Sequence, residues 1–169
     1  TWAAGSPKVP MRLDDGDTPP EEVRAAFEGQ IRTLVEAGAD LVCVETMTDL
    51  QEARLAVEAA RAVSAAIPVI ATMTFDRTSR GFFTVMGVPV AEAAGTLEAA
   101  GADVLGSNCG QGSEAMGEVA RAFRAATSRP LIIQANAGLP EIRQGALSYP
   151  ETPDFMAARV TPLLAAGVS

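Results

Sequence analysis

The stretch GSNCGQG, residues 106–112, puts a thiol between an asparagine and a glycine at the end of an apolar run. The chain has one other cysteine, Cys43, and no histidine. Three kinds of chemistry are open to Cys109. As a nucleophile it needs a base to form the thiolate, and the usual partner, histidine, is missing. As a small buried hydrophobe it is poorly placed, because Gly106, Gly110 and Gly112 let backbone or ligand approach closely. As a metal ligand it needs companions, since a four-coordinate zinc site open to substrate takes about three protein ligands. Cys43 lies between Val42 and Val44 and reads as an inert buried thiol.

More polar residues stand at the ends of apolar runs: Glu45 and Thr46, Thr72 and Thr74, Asn108 and Cys109, then Asn136. The elements that would carry them are marked by a repeated phrase. LVEAGADLV from Leu34, LEAAGADVL from Leu97 and LLAAGVS from Leu163 align Gly38, Gly101 and Gly167, which lie 63 and 66 residues apart (101 − 38 and 167 − 101). Each glycine predicts the left-handed residue that ends a helix ahead of a buried strand. AAIPVIATMTF from Ala65 and TSRPLIIQAN from Thr127 mark two further passages from helix to strand at Pro68 and Pro130. Helix and strand therefore alternate with a period of roughly 30 residues, the length of a βαβ unit.

Thr18, Pro19, Pro20 and Glu21 read as an N-cap, a proline at the first helical position and a capping-box glutamate. Val23, Phe27, Ile31, Leu34 and Val35 form the stripe that follows. Asp49 with Glu52 repeats the device. Ser113 opens a helix with Met116, Ala120 and Phe123 facing inward, and Thr152 with Pro153 opens the last helix, which Pro162 is expected to kink. The predicted strands are 41–45, 69–75, 104–108 and 131–136. They are apolar on both faces, as in a parallel sheet covered by helices. A doubly wound sheet and a (β/α)8 TIM barrel both fit, and the barrel needs around 250 residues. Four strands read as about half of a barrel, with cut sheet edges open to pairing with another chain. In a barrel, chemistry collects at the C-terminal mouth, which is where the polar row falls.

With 169 residues and 48% hydrophobic content the chain can bury one substantial core, which argues against disorder. Its 13 basic and 21 acidic residues leave a net charge of −8, and Lys8 is its single lysine. No basic patch can form, which excludes nucleic acid and anionic membrane as main partners. Runs such as IPVIA from Ile67 fall far short of the roughly 20 residues of a membrane span. Thr1 begins without a targeting signal, and two cysteines suit a reducing cytoplasm, so a cytoplasmic location is expected.

Five motifs in this order, VETMTDLQEA (44–53), ATMTFD (71–76), GADVLGSNCGQG (101–112), QANAGLP (134–140) and YPETPDF (149–155), resemble the homocysteine S-methyltransferase family over nearly the whole chain. The nearest likeness is to the homocysteine-binding domain of its cobalamin-dependent branch. AGS at 4–6 resembles the end of a preceding strand, although SPKVP departs from the family's glycine-proline-threonine turn. The resemblance implies a (β/α)8 barrel with Zn2+ at its mouth on three cysteines. Cys109 matches the first, and the other two are due beyond Ser169. Residues 1–169 would then be a partial homocysteine-binding domain, truncated at both ends and carrying strands four to seven.

The implied reaction is zinc-dependent methyl transfer to the thiol of homocysteine, giving methionine, with zinc as the thiol activator. By the same likeness Glu45 holds the substrate ammonium, while Thr46 and Thr74 bond its carboxylate. Asn108 and Asn136 orient the site, and the Asn136 oxygen fills the vacant zinc position before substrate arrives. The methyl donor expected is methylcobalamin on another module, although betaine and S-methylmethionine also serve the family. Residues 76–88, DRTSRGFFTVMGV, could form a lid, dock the donor module, or simply pack. The competing reading is a catalytically inactive barrel fragment acting as a binding or structural module, because one cysteine does not hold catalytic zinc; the isolated fragment is expected to be inactive. A metal-free enzyme using Glu45 as general base has no motif behind it.

Overall fold

The computed structural model describes residues 18–143 and 145–169, the side chain of Arg143 excepted; AGS and SPKVP lie outside that range. Helix α1 (Pro20–Glu36) begins at the proline pair, but one residue later than the sequence suggests. Pro19, held extended at φ −62° and ψ 145°, is the N-cap, and Pro20 takes the first helical position. A residue ahead of proline is driven out of the helical region, so the helix cannot start before Pro20 and Thr18 makes no cap. The Pro19 carbonyl instead accepts from the Glu22 and Val23 amides. Two other expected caps form. Asp49 accepts from the Glu52 amide at the start of α2 (Leu50–Val63), and Thr152 from the Phe155 amide at the start of α5 (Pro153–Ala165), which runs on through Pro162. Gly38, Gly101 and Gly167 end their helices at φ 90°, 108° and 93°.

The remaining elements are β1 (Val42–Met47), β2 (Val69–Met73), β3 (Asp76–Thr78), β4 (Gly81–Phe83), α3 (Val90–Ala100), β5 (Val104–Gly112), α4 (Ser113–Ala126), β6 (Leu131–Asn136), β7 (Glu141–Arg143) and β8 (Ala146–Ser148). The order β1-β2-β5-β6 makes one parallel sheet, and β3-β4 and β7-β8 are separate antiparallel hairpins. Strand order never reverses along the sheet, so right-handed crossovers leave all helices on one face. Each helix accordingly packs on its successor, from α1 to α5. A doubly wound sheet would reverse its order; this one is α/β with a parallel sheet, consistent with an arc of a TIM-like barrel.

The covered face carries the core. Val44, Ala71, Leu105 and Leu131 share one register row and are buried. Phe75 and Phe123 meet edge to face, with centroids 5.7 Å apart, and tie the exit of β2 to α4. The opposite face is only half covered: Cys43, Ile70 and Val104 share the next row and stay partly exposed. Burial nonetheless raises the Cys43 thiol above its ordinary pKa, and the Glu45 carboxylate adds to this, which favours the protonated thiol over the thiolate.

At the strand-start end of the sheet, away from the polar row, Arg61 on α2 gathers several neighbours. Its guanidinium donates to the carbonyls of Gly101 (2.8 Å) and Ile67 (2.7 Å) and pairs with Asp103. Desolvation pushes the Asp103 carboxyl up, but the Val69 amide at 2.8 Å and Arg61 outweigh it and hold the pKa below the ordinary value. A depressed folded pKa contributes stability above the unfolded value of about 3.9 and loses it as pH falls through the folded value. Asp103→Asn should therefore cost stability at pH 7, and the gap from wild type should close below about pH 4 in urea unfolding. A gap that stays constant with pH would assign the effect to packing instead.

Candidate functional site

Two irregularities shape the C-terminal edge of the sheet. Between the pairs Val44↔Ala71 and Met47↔Met73, three steps on β1 face two on β2, so the chain bulges at Glu45 and Thr46. Between Asn108↔Gln134 and Gly112↔Asn136, four steps on β5 face two on β6, so Cys109, Gly110 and Gln111 have no register partner on β6. These bulges carry β1 and β5 beyond their expected ends at 45 and 108. Thr46 (φ 62°) and Cys109 (φ 57°) are the only non-glycine residues with positive φ among the described residues. A β-branched residue there is strained, and such a conformation costs on the order of 1–3 kcal/mol unless its surroundings enforce it. Bulges of this kind gather beside functional sites because they re-aim side chains.

One amide links the two strained residues. The Asn108 Oδ1 accepts from the Thr46 backbone N–H (2.9 Å) and from the Thr72 hydroxyl (2.8 Å). Its Nδ2 donates to Thr46 Oγ1 (2.6 Å) and to Cys109 Sγ (3.3 Å). The Thr74 hydroxyl donates to the Asn108 carbonyl (3.1 Å), and the Thr74 amide to the Met47 carbonyl (3.0 Å). Thr46, Thr72, Thr74, Asn108 and Cys109 thus form one hydrogen-bonded cluster across β1, β2 and β5. Asn108 and Thr72 are buried within it, Thr46 is exposed, and the free thiol of Cys109 is half-buried. Glu45 and Asn136 flank the cluster, on β1 and β6; among the described residues neither side chain has a hydrogen-bond or ion-pair partner.

The glycines of the loop admit the protein's own groups. A Cβ on Gly110 would lie 2.7 Å from the Phe75 carbonyl oxygen, and one on Gly112 would lie 2.0 Å from Glu151 Oε1. Sequence reasoning gave Glu151 no role. Its carboxylate accepts from the Ser113 amide (3.0 and 3.1 Å) and the Ser113 hydroxyl (2.6 Å), capping α4 where Gly112 has no side chain to do so. Its own amide donates to the Ala137 carbonyl, so Glu151 buckles the Cys109 loop to the exit of β6. The glutamate of YPETPDF was the available signal. The hairpin of residues 76–83 is pinned back: Arg77 pairs with Glu118 on α4, and Gln111 donates to Asp76.

As a donor, the half-buried Cys109 thiol at a strand end suits one ligand position of a thiolate metal site. Among the described residues no group of three or more His, Cys, Asp or Glu side chains could hold a metal ion. At the polar strand ends the described residues supply one thiol, Cys109, and not a complete donor set. No described helix is long and apolar enough to cross a membrane.

Known proteins resemble this chain in sequence and in fold. A model of the family described as homocysteine S-methyltransferase matches residues 3–169. Methionine synthase of Mycobacterium leprae (strain TN) is 31% identical over 154 residues, covering 89% of this chain and 12% of its own length. Methionine synthase of Mycobacterium tuberculosis (strain ATCC 25618 / H37Rv) is 30% identical over 154 residues, covering 89% and 13%. The chain therefore spans about an eighth of the length of these relatives. Among solved structures, the homocysteine methyltransferase MmuM from Escherichia coli in its apo form superposes with a TM-score of 0.67 at 19% identity, over 91% of this chain and 51% of that one. Its metallated form gives a TM-score of 0.67 at 21% identity over 91% and 46%. At these identities the structures bear on the fold alone.

Proposed function

The chain belongs to the homocysteine S-methyltransferase family, and from that premise we propose that its strand ends bind homocysteine for methyl transfer to the substrate thiol, giving methionine. The observation that carries the reading is the pair of bulges at one mouth, with Thr46 and Cys109 strained and tied to one amide. Such strain belongs where a site must be held open in a fixed shape. In this reading the strands are the fourth to the seventh of a (β/α)8 barrel. Residues 1–169 are a partial homocysteine-binding domain.

Cys109 supplies one thiolate of a zinc site that two cysteines outside these 169 residues complete. Bound Zn2+ would hold the homocysteine sulfur as its thiolate at neutral pH, which a free alkyl thiol is not. The chain's own residues bind and orient. The Glu45 carboxylate, without a partner among the described residues, receives the substrate ammonium. The Thr46 hydroxyl accepts from Asn108 and keeps its proton for the substrate carboxylate. Thr74 closes the same side, and Asn136, on the neighbouring strand end, offers its oxygen to the metal before substrate binds. Methylcobalamin on another module is the methyl donor.

The single thiol described at the polar strand ends favours one alternative, a binding module without catalysis. Calorimetry with homocysteine and metal analysis of the full-length protein separate the two. Saturable binding that needs about one bound zinc supports the enzyme. Binding that survives removal of zinc supports the module, and no homocysteine binding under either condition rejects both.

A further inference from the structure

The amide of Asn108 has no capacity left. Two donors reach Oδ1, and Nδ2 spends both protons on Thr46 and Cys109, which is all that a primary amide can make in this geometry. The amide's orientation follows from the network: the Thr46 backbone N–H can only donate, so the atom facing it must be the oxygen. The residue is also only 5% exposed. A substrate contact to this amide would have to break an internal bond and leave a buried polar group unpaired.

The partners it does have share one property. Thr46 and Cys109 both stand at positive φ, and neither residue type favours that region. Thr46 is gripped at two points, its amide by Oδ1 and its hydroxyl by Nδ2. Cys109 is held through Sγ and, one residue back, through the Asn108 carbonyl that Thr74 caps. We propose that Asn108 is a positioning residue: it enforces the left-handed backbone at Thr46 and Cys109 and so fixes the β1 and β5 lips of the mouth relative to each other, without touching substrate. The inference rests on the homocysteine reading of the mouth, and it gives Asn108 a role distinct from substrate contact.

A double-mutant cycle in the full-length protein tests it. Glycine adopts a φ near 62° without a tether. Asn108→Ala should therefore weaken homocysteine binding about tenfold when Thr46 is present, but no more than about threefold in the Thr46→Gly background. Equal weakening in both backgrounds would mean that the amide contacts substrate directly, and would overturn the proposal. The same four proteins are melted in parallel. Asn108→Ala should lower the Tm more in the wild-type background than in the Thr46→Gly background, and additive shifts overturn the proposal whether or not homocysteine binds. If wild type fails to bind homocysteine, the site reading fails and the melting cycle still decides the role of Asn108. Should Asn108→Ala not fold, Asn108→Ser carries the same cycle: it leaves a hydroxyl for Thr72 and is too short to reach Thr46.

Discussion

Replacing Cys109 by serine should cut methyl transfer by at least about a hundredfold and strip zinc from the full-length protein, while the fold survives. Losing even an outer-shell partner of a metal ligand costs about 10- to 100-fold, so removal of a ligand itself should cost no less. A serine hydroxyl is not ionised at neutral pH, so it offers neither the charge nor the softness that zinc draws from a thiolate. Serine should leave the surroundings in place. It differs from cysteine by one atom, and Asn108 Nδ2, now 3.3 Å from Sγ, can donate to an oxygen instead. The half-buried position adds little burial to lose. Metal content, activity and Tm together decide the matter. Cys109→Ser protein that keeps one zinc and activity within about tenfold of wild type would remove Cys109 from the metal site.

Much of the fold was legible because its signals are local. Gly38, Gly101 and Gly167 each had to follow a helix in left-handed conformation, and each does. The Asp49 and Thr152 caps also act within three residues. What escaped depends on partners distant in sequence or on counting against a neighbouring strand. A bulge exists only relative to the opposite ladder, so the bulges at Thr46 and Cys109 could not be read from β1 or β5 alone. Glu151 caps Ser113 from 38 residues away. Thr18 shows the opposite failure: the local pattern named a cap, but two successive prolines moved the start of the helix past it. The polar row was visible as residue types. That one of its members, Asn108, joins four of the others needed the sheet to bring strands β1, β2 and β5 side by side.

Gly106→Ala should be the most damaging glycine-to-alanine change among the described residues. The ideal Cβ would lie 1.8 Å from the Ile132 carbonyl oxygen, 2.8 Å from its carbonyl carbon and 2.9 Å from its Cγ2. Two of those three atoms are backbone, and Ile132 is the register partner of Gly106 in the β5–β6 ladder, so no side-chain rotation relieves the clash. The strands must separate, and the same ladder carries the Cys109 bulge and the Asn136 exit. A cost of more than about 4 kcal/mol follows, the range reserved for such mechanisms. That is a large share of the roughly 5–15 kcal/mol that holds a domain folded. Gly95→Ala is the matched control: Gly95 lies inside α3 and meets nothing within 4 Å, so it should gain about 0.4–1 kcal/mol from the stiffer unfolded chain. Urea unfolding of both variants measures the contrast. A Gly106→Ala protein with wild-type stability would mean that β5 and β6 can move apart freely, and a mouth built on that ladder could not hold a thiolate in a fixed position.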